Sequence, residues 1–238
     1  MILSMLFSGG NLFDILLTLL LMLPPMMLAL SLHESAHGYV AYKCGDNTAY
    51  NLGRLTLNPF KHLDPVGFIC LLVFGYGWAN PVPINTRNFR NPKRGMALSA
   101  LAGPVSNLLL GVLCAVVAGV LWGFWNYLAV FTTAPEYWVR VLFLLYQAVL
   151  YSALINFVYM TFNMIPVPPF DGSRVMLAFL PTNIYFKIMR YERQIMFGVL
   201  IALLVLSRLG FSPFSWVAEA LTDLISYPIA KAVFYGLQ

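Results

Sequence analysis

Three residues within five positions, His33, Glu34 and His37, carry the clearest chemistry in the chain, as the H-E-x-x-H run His33-Glu34-Ser35-Ala36-His37. Histidines four apart on a helix lie about 40° apart around its axis, so both imidazoles can face one metal ion. Glu34 is then left to act on water. In this pattern a glutamate takes a proton from a water whose pKa a zinc ion has lowered to roughly 7, which is the chemistry of peptide hydrolysis. The competing reading is a polar pocket in which two histidines and a glutamate line the inside of a helix bundle.

The elements that must position these residues are membrane elements. Of the 238 residues, 60% are hydrophobic and 10% charged, with a mean hydropathy of +0.77; soluble domains carry about 25% charged residues. The composition implies an all-α integral membrane protein, a polytopic helix bundle with lipid around it. Its polar stretches are too short for a separate soluble core, so one domain is expected over residues 1–238. No Lys or Arg precedes Lys43, which argues against the basic start of a cleavable signal peptide. Cys44, Cys70 and Cys114 have no C-x-x-C spacing and read as ordinary apolar residues. The net charge of +5 is explained by loop charge that sets orientation, and no nucleic-acid partner is expected.

About four full spans are expected, with re-entrant or interfacial segments and a small membrane-associated β element. The first span, 12–43, is apolar except for its end and contains Pro24-Pro25, which should kink it. His33 falls roughly 30 Å along it, close to one membrane face, where ionisable groups are costly and therefore indicate function. Residues 44–95 form a loop region. Within it 54–58 and 81–85 alternate polar and apolar, as short edge strands do, and 66–78 is too short to cross a bilayer. His62, alone in that loop, reads as an interfacial or hydrogen-bonding residue rather than a ligand.

The second span, 96–125, places Gly103, Asn107, Gly111, Ala115, Gly119 and Gly123 every four residues, a stripe that lets another helix approach closely. Asn107 in that stripe suits either an interhelical hydrogen bond or contact with a substrate. The third span, 138–165, sets Asn156 and Asn163 on one inward face. Prolines in 166–169 then end the helix and put Asp171, a candidate third metal ligand, in a turn within the loop 166–193. A fourth span, 194–210, and an amphipathic interfacial tail, 211–238, complete the chain. All Lys and Arg except Arg140, Arg208 and Lys231 fall on one side, which makes that side cytosolic, with both termini outside and His33, His37 and Asp171 near the cytosolic face.

With these motifs in order, the chain resembles the site-2 protease family of intramembrane zinc metalloproteases, in its compact form without PDZ or CBS domains. The resemblance rests on residues 31–42, on Leu55-Thr56-Leu57-Asn58-Pro59-Phe60-Lys61-His62-Leu63-Asp64-Pro65, on 88–94, on Ala102-Gly103-Pro104-Val105-Ser106-Asn107 and on 163–172. It implies one zinc ion per chain held by His33, His37 and Asp171, with Glu34 as base, Asn107 and Asn163 near the active site, and a transmembrane protein or peptide as substrate. Phe170 and Ser173 depart from the leucine and glycine common beside the Asp-Gly pair. The rival readings are a proteolytically inactive membrane substrate-binding relative, which would lack a ligand or the base, and a membrane metal transporter, which would place ligands on both sides of a path.

Overall fold

The computed structural model describes residues 11–74, 77–209 and 213–238. Three of its helices are long and apolar enough to cross a membrane: α1, Leu12–Lys43, then, after a polar loop region, Pro92–Phe131 and Glu136–Asn163. Within the loop region lie the short α2, Thr48–Asn51, and α3, Pro65–Phe74, so the two long helices that follow are α4 and α5. Beyond them come α6, Asp171–Leu177, α7, Thr182–Met189, α8, Glu192–Arg208, and α9, Pro213–Gly236.

Side-chain caps set where several of these begin. Asn11 accepts from Phe13 N–H at the start of α1 and Asn91 from Arg94 N–H at the start of α4, where Pro92 occupies a first-turn position that needs no donor. The helices α1 and α4 run on through Pro24-Pro25 and Pro104 respectively.

The helix α4 is the centre of the bundle, packed against α1, α5, α6 and α9. Its buried face is the small-residue stripe, extended at its start to Gly95 and Ser99. Different neighbours fill its steps. A Cβ on Gly111 would lie 2.9 Å from the ring of Phe157, and one on Gly119 or Gly123 would lie 2.6 or 2.5 Å from the carbonyl of Ser226 or Ala230 on α9. The core at this level is Ala115, Ala153, Phe157 and Ala218, and a second cluster, Met26, Ala29 and Ile155, joins α1 to α5. Thus the segment expected to lie along the interface is a 24-residue helix laid against α4 and α5.

Two expectations change. The runs 54–58 and 81–85 form no strands; among the described residues the only β pairing is the isolated antiparallel bridge between Leu63 and Ala79. At 81–85 the reason is a shortage of donors: Pro81 and Pro83 have no N–H, and the N–H groups of Val82 and Asn85 are taken by Glu34 and Asp46. Asp171, expected in a turn, is the first residue of α6. The short segment at 66–78 is mostly the ten-residue α3, about 15 Å long and half a bilayer core; residues 75–76 lie outside the described residues. The expected fourth span, 194–210, falls on the 17-residue α8, which among the described residues is not one of the three helices long and apolar enough to cross.

Candidate metal centre

The periodicity of α1 brings Ser31, His33, Glu34, His37, Gly38 and Ala41 to its buried side, facing the stripe of α4. Gly103 makes the approach possible: a Cβ there would stand 2.5 Å from His37 Cε1 and Nε2 and 2.6 Å from His33 Cε1. Asp171 arrives from the other end of the chain. After α5 ends at Asn163, Gly172 lets the turn fold back tightly, since a Cβ on it would meet the Met164 and Ile165 carbonyl oxygens at 2.4 and 2.7 Å. The unusual neighbours are accommodated: Phe170 is buried, with its ring 4.4 Å edge-on from that of Phe162, and Ser173 Oγ donates to the Phe170 carbonyl at 2.7 Å.

His33 Nε2, His37 Nε2 and Asp171 Oδ2 form a near-equilateral triangle with sides of 2.9, 3.0 and 3.1 Å, and these residues are the group that could hold a metal ion. Ligands bound at about 2.0–2.1 Å around tetrahedral zinc stand roughly 3.3 Å apart, so the spacing fits.

The surrounding hydrogen bonds fix what the three atoms offer. His37 Nδ1 faces the Ser99 carbonyl at 2.7 Å, and a carbonyl only accepts, so the proton of the neutral ring is on Nδ1 and Nε2 is a lone pair. His33 Nδ1 faces Asn107 Oδ1. The amide of Asn107 is oriented by donating to Ala29 O at 3.2 Å and to Asn156 Oδ1 at 2.8 Å, which leaves its oxygen to accept from His33 Nδ1–H. Both Nε2 atoms therefore point lone pairs at each other and at a carboxylate. Such a set of acceptors repels itself unless a cation sits among them, and two imidazoles with a carboxylate are a donor set that zinc takes.

Glu34 is buried beside this set, and its Oε2 accepts the Val82 N–H at 2.9 Å. Asn107 lies against His33, with its oxygen and nitrogen engaged. Asn163 is half-buried and returns its Nδ2 to Tyr159 O at 3.0 Å on its own helix. His62 is fully buried, and its Nε2 donates to Thr56 O at 2.7 Å, the same carbonyl that accepts from Ser35 Oγ at 2.6 Å. The reading of His62 as a hydrogen-bonding residue matches this contact.

Sequence reasoning missed Ser99, whose carbonyl orients His37 and whose Oγ donates to His37 O at 2.9 Å, and it missed Asn156 as the partner of Asn107. Ser99 stands one four-residue step before Gly103, so extending the stripe would have found it. The N–H of Val82 is a main-chain group, and residue type gives no sign of it.

The sequence profile described as Peptidase family M50 matches residues 21–207. YwhC of Bacillus subtilis strain 168, provisionally named a zinc metalloprotease, is 39% identical over 168 residues, 70% of this chain and 72% of that protein. Rip2 of Mycolicibacterium smegmatis, named in the same provisional way, is 28% identical over 158 residues, and Rip2 of Mycobacterium tuberculosis strain H37Rv 27% over 152. These alignments cover 64% and 61% of this chain, and about half, 54% and 52%, of the mycobacterial proteins. No solved structure matches the chain.

Proposed function

Because the chain belongs to peptidase family M50, we propose that it is an intramembrane zinc metalloprotease that cuts transmembrane segments near the cytosolic face. The observation that carries this reading is the set of three converging lone-pair atoms, with Glu34 beside it, on a helix apolar enough to span a bilayer. His33 Nε2, His37 Nε2 and Asp171 Oδ2 would hold the ion. Zinc, when bound there, supplies a lowered pKa for the attacking water and polarisation of the scissile carbonyl.

Glu34 does the proton work. With Oε2 engaged by Val82 N–H, Oε1 takes the proton from the attacking water and hands it to the leaving amine. Asn107 and Ser99 hold the two imidazoles in the tautomer that presents Nε2. Asn163 keeps a second Nδ2–H beyond the one given to Tyr159 O, and we assign it a hydrogen bond to the substrate main chain. A transmembrane helix hides its carbonyls in its own hydrogen bonds, so the substrate unwinds locally before cleavage. The main chain near Leu55 would receive the unwound segment by strand addition. In this reading α8 is the fourth span, both termini face outward, and water reaches the site from the cytosol.

The inactive relative and the metal transporter make the opposite prediction for one substitution. Glu34→Gln should lower cleavage by about 10²–10⁴-fold, the range for loss of a general base, while zinc content and folding stay unchanged. The measurement is the accumulation of single-span stubs in membranes of cells carrying Glu34→Gln against wild type, with zinc assayed in the purified proteins. Full turnover retained by Glu34→Gln would remove Glu34 as the base, and membranes with no difference in single-span stubs would leave a non-proteolytic role.

A further inference from the structure

Outside the metal centre, the chain carries a second buried carboxylate. Asp46 is fully buried beyond the end of α1. Its oxygens accept from Thr48 N–H at 3.1 Å, from the Thr48 hydroxyl, from Asn85 N–H at 2.7 Å and from Asn88 Nδ2 at 2.8 Å. A buried charge with this many donors joins the segments that supply them: here α2 and residues 85–88 are fastened to the end of α1. Gly45 helps, at φ +111, where a side chain is disfavoured and where a Cβ would press on Asn88 O at 3.1 Å. Beside it Arg90 N–H donates to Cys44 O at 3.2 Å.

A second anchor lies at Asn80, five residues before Asn85. Arg54 donates to the carbonyls of Asn80 and Pro81 at 2.8 and 3.3 Å, and Asn80 N–H donates to His62 O at 2.8 Å. Residues 80–85 are therefore a strap pinned at both ends. Between the pins, Pro81 and Pro83 have fixed φ and no N–H, and a residue before proline is held extended. The single N–H of the Pro81-Val82-Pro83 run is that of Val82, and it points at Glu34 Oε2. Val82 itself rests on Gly38, one turn beyond Glu34, where a Cβ would stand 3.0 Å from Val82 Cγ1.

We propose that this strap sets the carboxylate of Glu34 for proton transfer through the Val82 N–H, and that Asp46 and Arg54, which touch neither metal ligand nor substrate, are positioning residues for catalysis. The inference rests on the assignment of Glu34 as the base. Only Pro83 and Ile84 separate Val82 from Asn85, too few to absorb a release of the Asp46 anchor, and a displacement of about 1 Å at a reacting group can cost a hundredfold in rate.

The test uses the full chain in detergent or liposomes with a single-span substrate, comparing wild type, Asp46→Asn, Arg54→Ala and the exchange Asp46→Asn/Asn88→Asp. The expected result is a kcat lowered about ten- to a hundredfold in both single variants, with KM and zinc content within about twofold of wild type. Hydrogen exchange in the peptide covering 79–91 should be faster in both, and the exchange variant, which returns an amide facing a carboxylate, should recover much of kcat. Arg54→Ala leaves no unpaired buried charge, so it keeps the question open to measurement should Asp46→Asn not fold. An unchanged kcat overturns the proposal, as does a loss that follows zinc content or the yield of folded protein. If wild type shows no Glu34-dependent cleavage, the peptidase reading fails, and the strap is judged on hydrogen exchange alone.

Discussion

Asp46 lies outside the spans, and its ionisation is tied to the fold. Burial pushes its carboxyl up, but hydrogen bonds from the Thr48 hydroxyl, the Asn88 amide and the N–H groups of Asn85 and Thr48 outweigh burial and hold it below the usual carboxylate range. A group whose folded pKa is depressed adds stability above its unfolded value, about 3.9 for Asp, and that stability drains away as the pH falls through the folded value. Wild type should therefore melt above Asp46→Asn by an amount that is constant from about pH 7 to 5 and shrinks below about pH 4, as thermal unfolding in detergent at stepped pH will show. At neutral pH the difference should be about 1–3 kcal/mol, the cost of leaving buried donors badly paired. A gap that widens in acid would contradict the role of the ionised carboxylate. At this scale the sequence was legible where spacing encodes helix geometry, as at His33, Glu34 and His37. Asp171 could be nominated from its Asp-Gly setting, and contact with the histidines needed the fold. The groups that orient the site were harder to see. The Ser99 carbonyl and the Val82 N–H are main chain, and the choice of Asn156 over Asn163 as partner of Asn107 depends on how far α5 slides along α4.

At the scale of elements, α4 divides its stripe between two tasks. Near its start the missing side chain of Gly103 makes room for imidazoles; near its end those of Gly119 and Gly123 make room for the backbone of α9. Substitutions on one helix face should consequently give unlike phenotypes. Gly103→Ala should weaken zinc binding at least tenfold, because its Cβ displaces both ligand rings. Gly123→Val should keep zinc and lose about 1–3 kcal/mol of stability by overpacking against Ala230 and Val233. Zinc retained after dialysis, read beside thermal unfolding, separates the two. Equal zinc loss in both would mean that the stripe acts as one unit. Periodicity revealed this face and its need for close approach, but it could not say who approaches. The same limit explains the absent strand at 81–85: alternation marks which residues could face a neighbour, whereas a ladder needs N–H groups, and there two prolines lack them while Val82 and Asn85 have theirs engaged.

For the whole molecule, the apolar composition and the three long helices agree on a membrane protein. The side on which each loop emerges is a separate matter, for which the proposed topology rests on the distribution of Lys and Arg. In a cysteine-free protein, Thr133→Cys in the loop between α4 and α5 should react with an impermeant maleimide added to intact cells. Asn183→Cys in α7 should react only after permeabilisation. The reverse pattern would put the metal centre on the outer side. Overall architecture was legible because bilayer thickness imposes length and apolarity on every span; α9 was read as interfacial because a helix with polar residues looks alike in sequence whether its apolar face meets lipid or another helix.

His33 and Asp171 stand 138 positions apart, and that separation has a consequence in time. A ribosome adding about 5–20 residues each second makes the histidine pair well before it makes the carboxylate, a delay of roughly 7–28 seconds. During that interval the end of α1 and all of α4 and α5 are synthesised and can enter the bilayer while the ligand set is incomplete. A nascent peptidase of this design stays inert beside the other unfolded spans emerging from the same translocation machinery, and its ligand set is complete only once α1, α4 and α5 have been made, with α8 and α9 still to follow.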